Sequence, residues 1–242
     1  VPFVSDYRSY FQTSVSQSSG PSIPEGVVRP RSQLPPEVLG PYPVANISGN
    51  PGASTASASI TFTMPAGLSE GHVARALLNK TSNTDTATID TVPIGWTLLS
   101  GPDISATANN TTWLYYKVLQ PGDPELTPGA TITWSGNSVR CNGLMSVFGG
   151  ITATGVDAEV VQDDTLDTSS TIPTVTAPDG ALIDVVFGMN KGTDPPPNIT
   201  PPAGYLQGAN EREATTNTSG LVLANEAMYK VATGGGSYGG ET

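Results

Sequence analysis

Ser57-Ala58-Ser59-Ile60-Thr61-Phe62-Thr63-Met64, followed at once by Pro65-Ala66-Gly67, sets an apolar residue at every second position and then stops on turn residues. A period of two puts Ala58, Ile60, Phe62 and Met64 on one face, which is the pattern of a half-buried β-strand. Working outward, similar strand segments fall at 72–78, 112–119, 131–134, 143–148, 156–161, 172–176, 182–187 and 221–231. Clusters of Gly, Pro, Asn and Asp separate them. The 242-residue chain holds 27 Gly and 22 Pro, and charged residues make up only 13%. Such a composition favours many turns and short strands, and the length suits one large β-sandwich or two small domains.

The strand pattern also repeats. Gly71-His72-Val73-Ala74 through Asn79-Lys80 resembles Gly180-Ala181-Leu182-Ile183 through Asn190-Lys191. Pro93-Ile94-Gly95-Trp96 matches Pro202-Ala203-Gly204-Tyr205, and 25 residues separate Gly71 from Trp96 just as they separate Gly180 from Tyr205. Tyr116-Lys117-Val118 then matches Tyr229-Lys230-Val231, after a shift of four residues taken up in loops. Three matches in one order imply two similar halves of a single sandwich. Two Greek-key halves packed face to face make a jelly roll. The expected fold is therefore all-β, a jelly-roll-like β-sandwich over 46–242, preceded by an extended Pro-rich arm over 1–45.

That arm carries eight prolines and no clear apolar period, so it has no means of building its own core. It is neutral, because Arg8, Arg29 and Arg31 balance Asp6, Glu25 and Glu37, and the net charge of −11 belongs to the body. Ordering a backbone residue costs about 1–2 kcal/mol, and burial returns roughly 25 cal/mol per Å² of apolar surface. An arm of this kind is expected to dock on another polypeptide. Val1, Phe3, Val4, Tyr7, Tyr10 and Phe11 supply its densest apolar surface, with Val27, Val28, Leu34, Val38 and Leu39 as a second attachment.

Charge and composition exclude several partners. With 10 basic against 21 acidic residues, the chain lacks the field needed for nucleic acid or an anionic membrane surface. No apolar run approaches the roughly 20 residues of a membrane-spanning helix. The opening Val1-Pro2-Phe3-Val4 does not follow the plan of a secretory leader. Cys141 stands alone, so no intrachain disulfide forms, which fits assembly in a cytoplasm.

Pro93-Ile94-Gly95-Trp96-Thr97-Leu98, Trp113-Leu114-Tyr115-Tyr116-Lys117-Val118, Ile132-Thr133-Trp134-Ser135-Gly136 and Ser146-Val147-Phe148-Gly149-Gly150-Ile151 together resemble jelly-roll modules of bacteriophage minor tail and capsid decoration proteins. Thr174-Val175-Thr176-Ala177-Pro178, Pro201-Pro202-Ala203-Gly204-Tyr205 and Met228-Tyr229-Lys230-Val231 continue the likeness, which spans roughly 55–232. The resemblance implies a structural virion protein, assembled in the host cytoplasm and turned toward solvent or a host surface; the arm at 1–45 lies outside it, and its docking on capsid or tail proteins is the expectation drawn from its own composition. The resemblance carries no catalytic residues; a closed symmetric homo-oligomer is a further expectation that no residue of the sequence marks. The alternative is a carbohydrate-binding module of a bacterial surface or secreted protein.

The residues for chemistry are sparse. His72, the only histidine, flanks a turn, and one His with one Cys cannot assemble a zinc site. No metal or other cofactor is expected, nor an enzyme. Cys141 reads as a small buried packing residue. Asp157, Glu159, Asp163, Asp164 and Asp167 lack the spacing of a calcium loop and read as a solvated acidic loop. Glycan hydrolysis through Asp163 or Asp164 is the one activity worth assaying. Alternation sends Tyr115 and Tyr116 to opposite faces, and since Tyr116 matches Tyr229 it is the better core residue. Tyr115 is then the ring that faces a partner or glycan, while Trp96 and Trp134 fill the core.

Overall fold

Val73–Thr81 is buried at all nine positions, so both faces of this strand are covered and the sandwich has more than two layers. The computed structural model describes residues 4–13, 41–49, 56–81, 87–105, 110–151, 156–157, 160–163, 172, 174–191, 200–207, 212–216 and 222–240. In chain order the strands are β1 (Val4–Thr13), β2 (Tyr42–Gly49), β3 (Ser57–Thr63), β4 (Val73–Thr81), β5 (Thr97–Ser105), β6 (Asn110–Val118), β7 (Thr131–Gly149), β8 (Val156–Asp157), β9 (Val160–Asp163), β10 (Val175–Ala177), β11 (Leu182–Lys191), β12 (Arg212–Thr216), β13 (Val222–Val231) and β14 (Gly236–Tyr238). A short 3-10 turn, Pro124–Leu126, precedes β7. The protein is all-β, with antiparallel sheets packed as a sandwich.

One sheet has the order β2-β7-β4-β6-β5, and the other has β12-β13-β11-β1-β8 with β9 also paired to β1. Their inner faces pack with β4 over β11, β7 over β13, and β5 over β1 and β9. The two halves share one path. β4 is followed by β5 two places away, then by β6 between them, and β11, β12 and β13 do the same. The turns agree in detail. Gly71 N–H donates to Leu119 O at 2.9 Å and Gly180 N–H donates to Ala232 O at 2.9 Å. Trp96 N–H donates to Pro93 O, and Tyr205 N–H donates to Pro202 O. Gly95 and Gly204 hold φ of 85° and 88°, a left-handed setting that suits glycine in this tight turn. The duplication read from the sequence is thus present in the pairing.

Equivalent residues of β4 and β11 lie 109 positions apart in sequence, and they meet across the interface. Val73 and Leu182 share one cluster with Phe148 and Ile151. Leu77 and Val186 share another with Leu114, Leu144 and Ala227. Between those apolar layers, Arg75 Nε donates to Asp184 Oδ2 at 2.6 Å and its Nη2 donates to Asp184 Oδ1 at 2.9 Å and Ser146 Oγ at 3.0 Å. Beyond Leu77, Asn79 Nδ2 donates to Asn225 Oδ1 at 3.1 Å, and Asn225 Nδ2 donates to Asn142 Oδ1 at 2.9 Å. The interface is therefore a stack of alternating apolar and hydrogen-bonded layers.

The outer faces are covered too. β3 pairs with the first part of β7, from Thr131 to Val139, whereas β2 and β4 pair with its later part. Phe62 is in register with Ile132, yet a Cβ placed on Gly143 would meet its ring at 2.5 Å. β7 must therefore curl until its first part lies over its second. Gly136, whose backbone leaves no room for a Cβ against Thr88, and the register shift between Ser57 and Ser59 permit the bend. The sequence suggested two short strands at 131–134 and 143–148; they are one strand. Under it Ile60, Phe62, Trp96, Trp113, Ile132, Trp134 and Met145 form the larger core. The second sheet has a smaller cover of β10, β14 and Tyr205 over Ile183, Val185, Phe187 and Met228.

Two stability effects follow from this packing. Asp184→Asn leaves the Arg75 charge buried without its partner, and is expected to lower unfolding free energy by about 3–5 kcal/mol; the pair Arg75→Met with Asp184→Leu should recover most of the loss in urea titrations. Gly143→Ala pushes against the Phe62 ring, which Trp134 holds edge-on at a centroid distance of 5.5 Å. Its expected cost is about 1–3 kcal/mol in the same titration.

Candidate functional site: a strand-accepting sheet edge

In the first half β4 is flanked by β6 and β7, and in the second half β11 is flanked by β13 and β1. β1 comes from the far N-terminal end of the sequence and occupies the place that β7 holds in the other half. Both run antiparallel to the central strand. Ten consecutive residues are in register, from Val4 with Lys191 to Thr13 with Leu182. Without this neighbour β11 would present a row of unpaired amides and carbonyls along a strand buried from Leu182 to Gly188. The physical demand at this edge is for a strand.

The arm is expected to dock on another polypeptide; in the structure its residues 4–13 pair with β11 of the same chain. Val4–Thr13 is rich in aromatic and β-branched residues, and pairing with β11 supplies the order that its own sequence could not. Of the expected docking residues, Val4, Tyr7, Tyr10 and Phe11 lie on β1, in register with Lys191, Gly188, Val185 and Asp184. Their side chains, together with Val1, Phe3, Val27, Val28, Leu34, Val38 and Leu39, lie outside the described residues. The expected boundary at residue 45 falls inside β2.

Tyr115 is also corrected. It is 4% exposed and its ring stands 6.1 Å from that of Trp134, within the larger core. Tyr116 is half-buried against the same cluster as Tyr229. Both rings meet packed layers because this sheet is covered on both faces, so alternation alone gave the wrong outward ring. Trp96 and Trp134 are buried as expected. Burial pushes the Tyr115 hydroxyl pKa above its ordinary value of 10.0.

Several ionisable groups are fixed in place. Glu125 accepts from Trp96 Nε1 at 2.7 Å and from Lys117 Nζ at 2.8 Å, and Lys117 also pairs with Asp123 at 2.9 Å. Both Glu125 oxygens are engaged and the residue is buried, so it acts as a clamp on the 93–96 turn. The equivalent Lys230 lies over the rings of Tyr205 and Tyr238 at 4.9 and 5.5 Å. Lys80 Nζ donates to Thr88 O and Asn137 O at 3.0 and 2.8 Å; burial lowers its pKa, opposed by the charges of Cys141 and Asp90. Cys141 is buried and directs Sγ to the Ser57 and Ser59 carbonyls. His72 Nδ1 accepts from Ser69 N–H at 3.1 Å beside a turn.

No family model, curated protein or solved structure matches the chain.

Among the described residues no group of three His, Cys, Asp or Glu side chains is placed to hold a metal ion. Of the acidic loop, Asp157 lies on β8 and Asp163 on β9; Glu159, Asp164 and Asp167 lie outside the described residues. The clamp of Lys117, Glu125 and Trp96 was not foreseen, although the matched Tyr-Lys-Val triplets held its signal. Arg75 and Asp184 were missed as well. Aligning the two halves sets opposite charges at one equivalent position of two apolar strands, and that would have found them.

The buried position of Tyr115 has a pH signature. A hydroxyl with a raised folded pKa contributes stability that is present below about pH 10 and lost as pH climbs through the folded value. Tyr115→Phe should therefore show a shallower loss of unfolding free energy above about pH 10 than the natural chain, measured by urea unfolding across the alkaline range.

Proposed function

We propose that this chain is a structural virion protein of a bacteriophage, a capsid decoration or minor tail protein, anchored through residues 1–45 and displaying its β-sandwich to solvent and host surfaces. The observation that carries the reading is the sheet edge at β11, which takes its neighbour from the end of a Pro-rich N-terminal segment. Strand addition is a general way to fasten one polypeptide to another, because backbone hydrogen bonds give affinity along the whole strand. The likeness of the Trp, Tyr and Gly positions to phage jelly-roll modules points the same way. The acidic body adds a solvated, mutually repelling surface that suits a displayed part. The reading requires no cofactor. A carbohydrate-binding module has less support, because Trp96, Trp113, Tyr115 and Trp134 are core residues.

The test is incorporation into particles. Replacing Val27, Val28, Leu34, Val38 and Leu39 with Ser leaves β1 untouched, and is expected to reduce co-sedimentation of the chain with purified virions at least tenfold while circular dichroism and thermal unfolding stay unchanged. Full incorporation of that variant and of a second one lacking residues 1–15 would overturn the proposal.

A further inference from the structure

We infer that the slot beside β11 accepts residues 4–13 from a second copy of this chain, so that neighbouring copies are joined by exchanged strands. The inference deepens the reading above by naming the partner at this edge, and it rests on that reading for the setting in which copies stand close together.

The slot is specific to this strand. β1 makes ten consecutive in-register pairs with β11 and also pairs with β8 and β9 on its far side. It is thus an interior strand, and the sheet is divided when it leaves. In the first half the equivalent strand, β7, follows β6 of its own sheet after residues 119–130; β1 is separated from β2 by residues 14–41. Exchange of an identical element between copies preserves every contact of the closed chain and alters only the connection.

The connection is much longer than the closed form requires. Thr13 pairs with Leu182, and Leu182 clusters with Phe148, the neighbour in sequence of Gly149, which pairs with Tyr42. The two ends to be joined are therefore at the same end of the sandwich. β2 faces β12, three strand positions from β1 in its sheet, so the gap is about 18 Å for strands ~4.8 Å apart and sheets ~10 Å apart. Five or six extended residues cross roughly that distance, whereas residues 14–41 reach up to about 90 Å at ~3.3 Å per residue. Lengthening a connection costs little entropy, so the surplus is tolerated in the closed form while bringing a neighbour's slot within range. A strand on such a tether meets its own slot at an effective concentration of about millimolar, and a neighbour competes when copies are held at comparable density, as they are side by side on a particle.

Ser5 and Asn190 are register partners, so cysteines there report which chain fills the slot. In a Cys141→Ser background of the full chain, Ser5→Cys and Asn190→Cys variants carrying tags of different mass are mixed in denaturant, refolded together, and oxidised at protein concentrations up to about 1 mM, matching the tether's effective concentration. The expected result is a mixed disulfide dimer that withstands denaturant, disappears with reductant, and rises with concentration toward about a quarter of the chains at the highest concentration. A double variant carrying both cysteines supplies the intrachain reference. If that reference cross-links while the mixed dimer stays absent at the highest concentration, the strand remains at home and the inference fails. If neither cross-links, β1 does not fill the slot and the inference fails with it. Mixed dimers from a chain that is never incorporated into virions would sustain the exchange and overturn the virion reading alone.

Discussion

Arg75 and Asp184 face one another where the two central strands pack together, both removed from water, with Ser146 taking a further guanidinium hydrogen. Burial pushes the Asp184 carboxyl pKa upward, and the adjacent guanidinium opposes that shift. Charges this deep tolerate little displacement, since sliding one sheet along the other would leave both without partners. Sliding one sheet along the other is therefore penalised at this point. The position of the pair, between equivalent residues of the two halves, has a further consequence. A symmetric dimer of either half would bring two like charges together at this point, so the two halves have to differ here for the interface to close. The Asn79, Asn225 and Asn142 chain fixes the next layer by hydrogen bonding alone.

Away from that interface the halves diverge in how they close their outer faces. The first builds a large aromatic core under the curled β7 and clamps the turn at Trp96 with Lys117 and Glu125. In the second the equivalent Lys230 rests over two tyrosine rings, and a short hairpin of β10 and β14 is the cover. A carboxylate clamp and a cation–π contact hold the same lysine position by different electrostatics. The common requirement is that a strand buried on both faces needs a lid on each, and a long amphipathic side chain at the rim can cover apolar surface while keeping its ammonium paired.

The asymmetry that bears on function lies beside β11. In the first half the flanking strand is continuous with the rest of its half, whereas in the second it comes from the opposite end of the sequence. Completing a sheet with a distant segment makes that sheet's integrity depend on a long tether. It also turns an internal edge into a place where chains can be joined. Ile94, 95% exposed at the tip of the Trp96 turn, is the most exposed large apolar residue of the described surface.

The sequence by itself determined the β class, most strand positions, the core placement of Trp96 and Trp134, and the duplication, because a period of two and the repeated turn residues are local properties carried by neighbours in the chain. Tertiary structure alone decided the rest. Whether either of Tyr115 and Tyr116 faces out depends on whether a second layer covers the sheet, and alternation is blind to that. The curl of β7 depends on Gly143 receiving the Phe62 ring from a strand 81 residues earlier. The pairing of β1 with β11, like that of Arg75 with Asp184, joins segments more than 100 residues apart. Such pairings arise because backbone hydrogen-bonding groups and charges withdrawn from water must find partners wherever the fold brings them, and no local pattern records that choice.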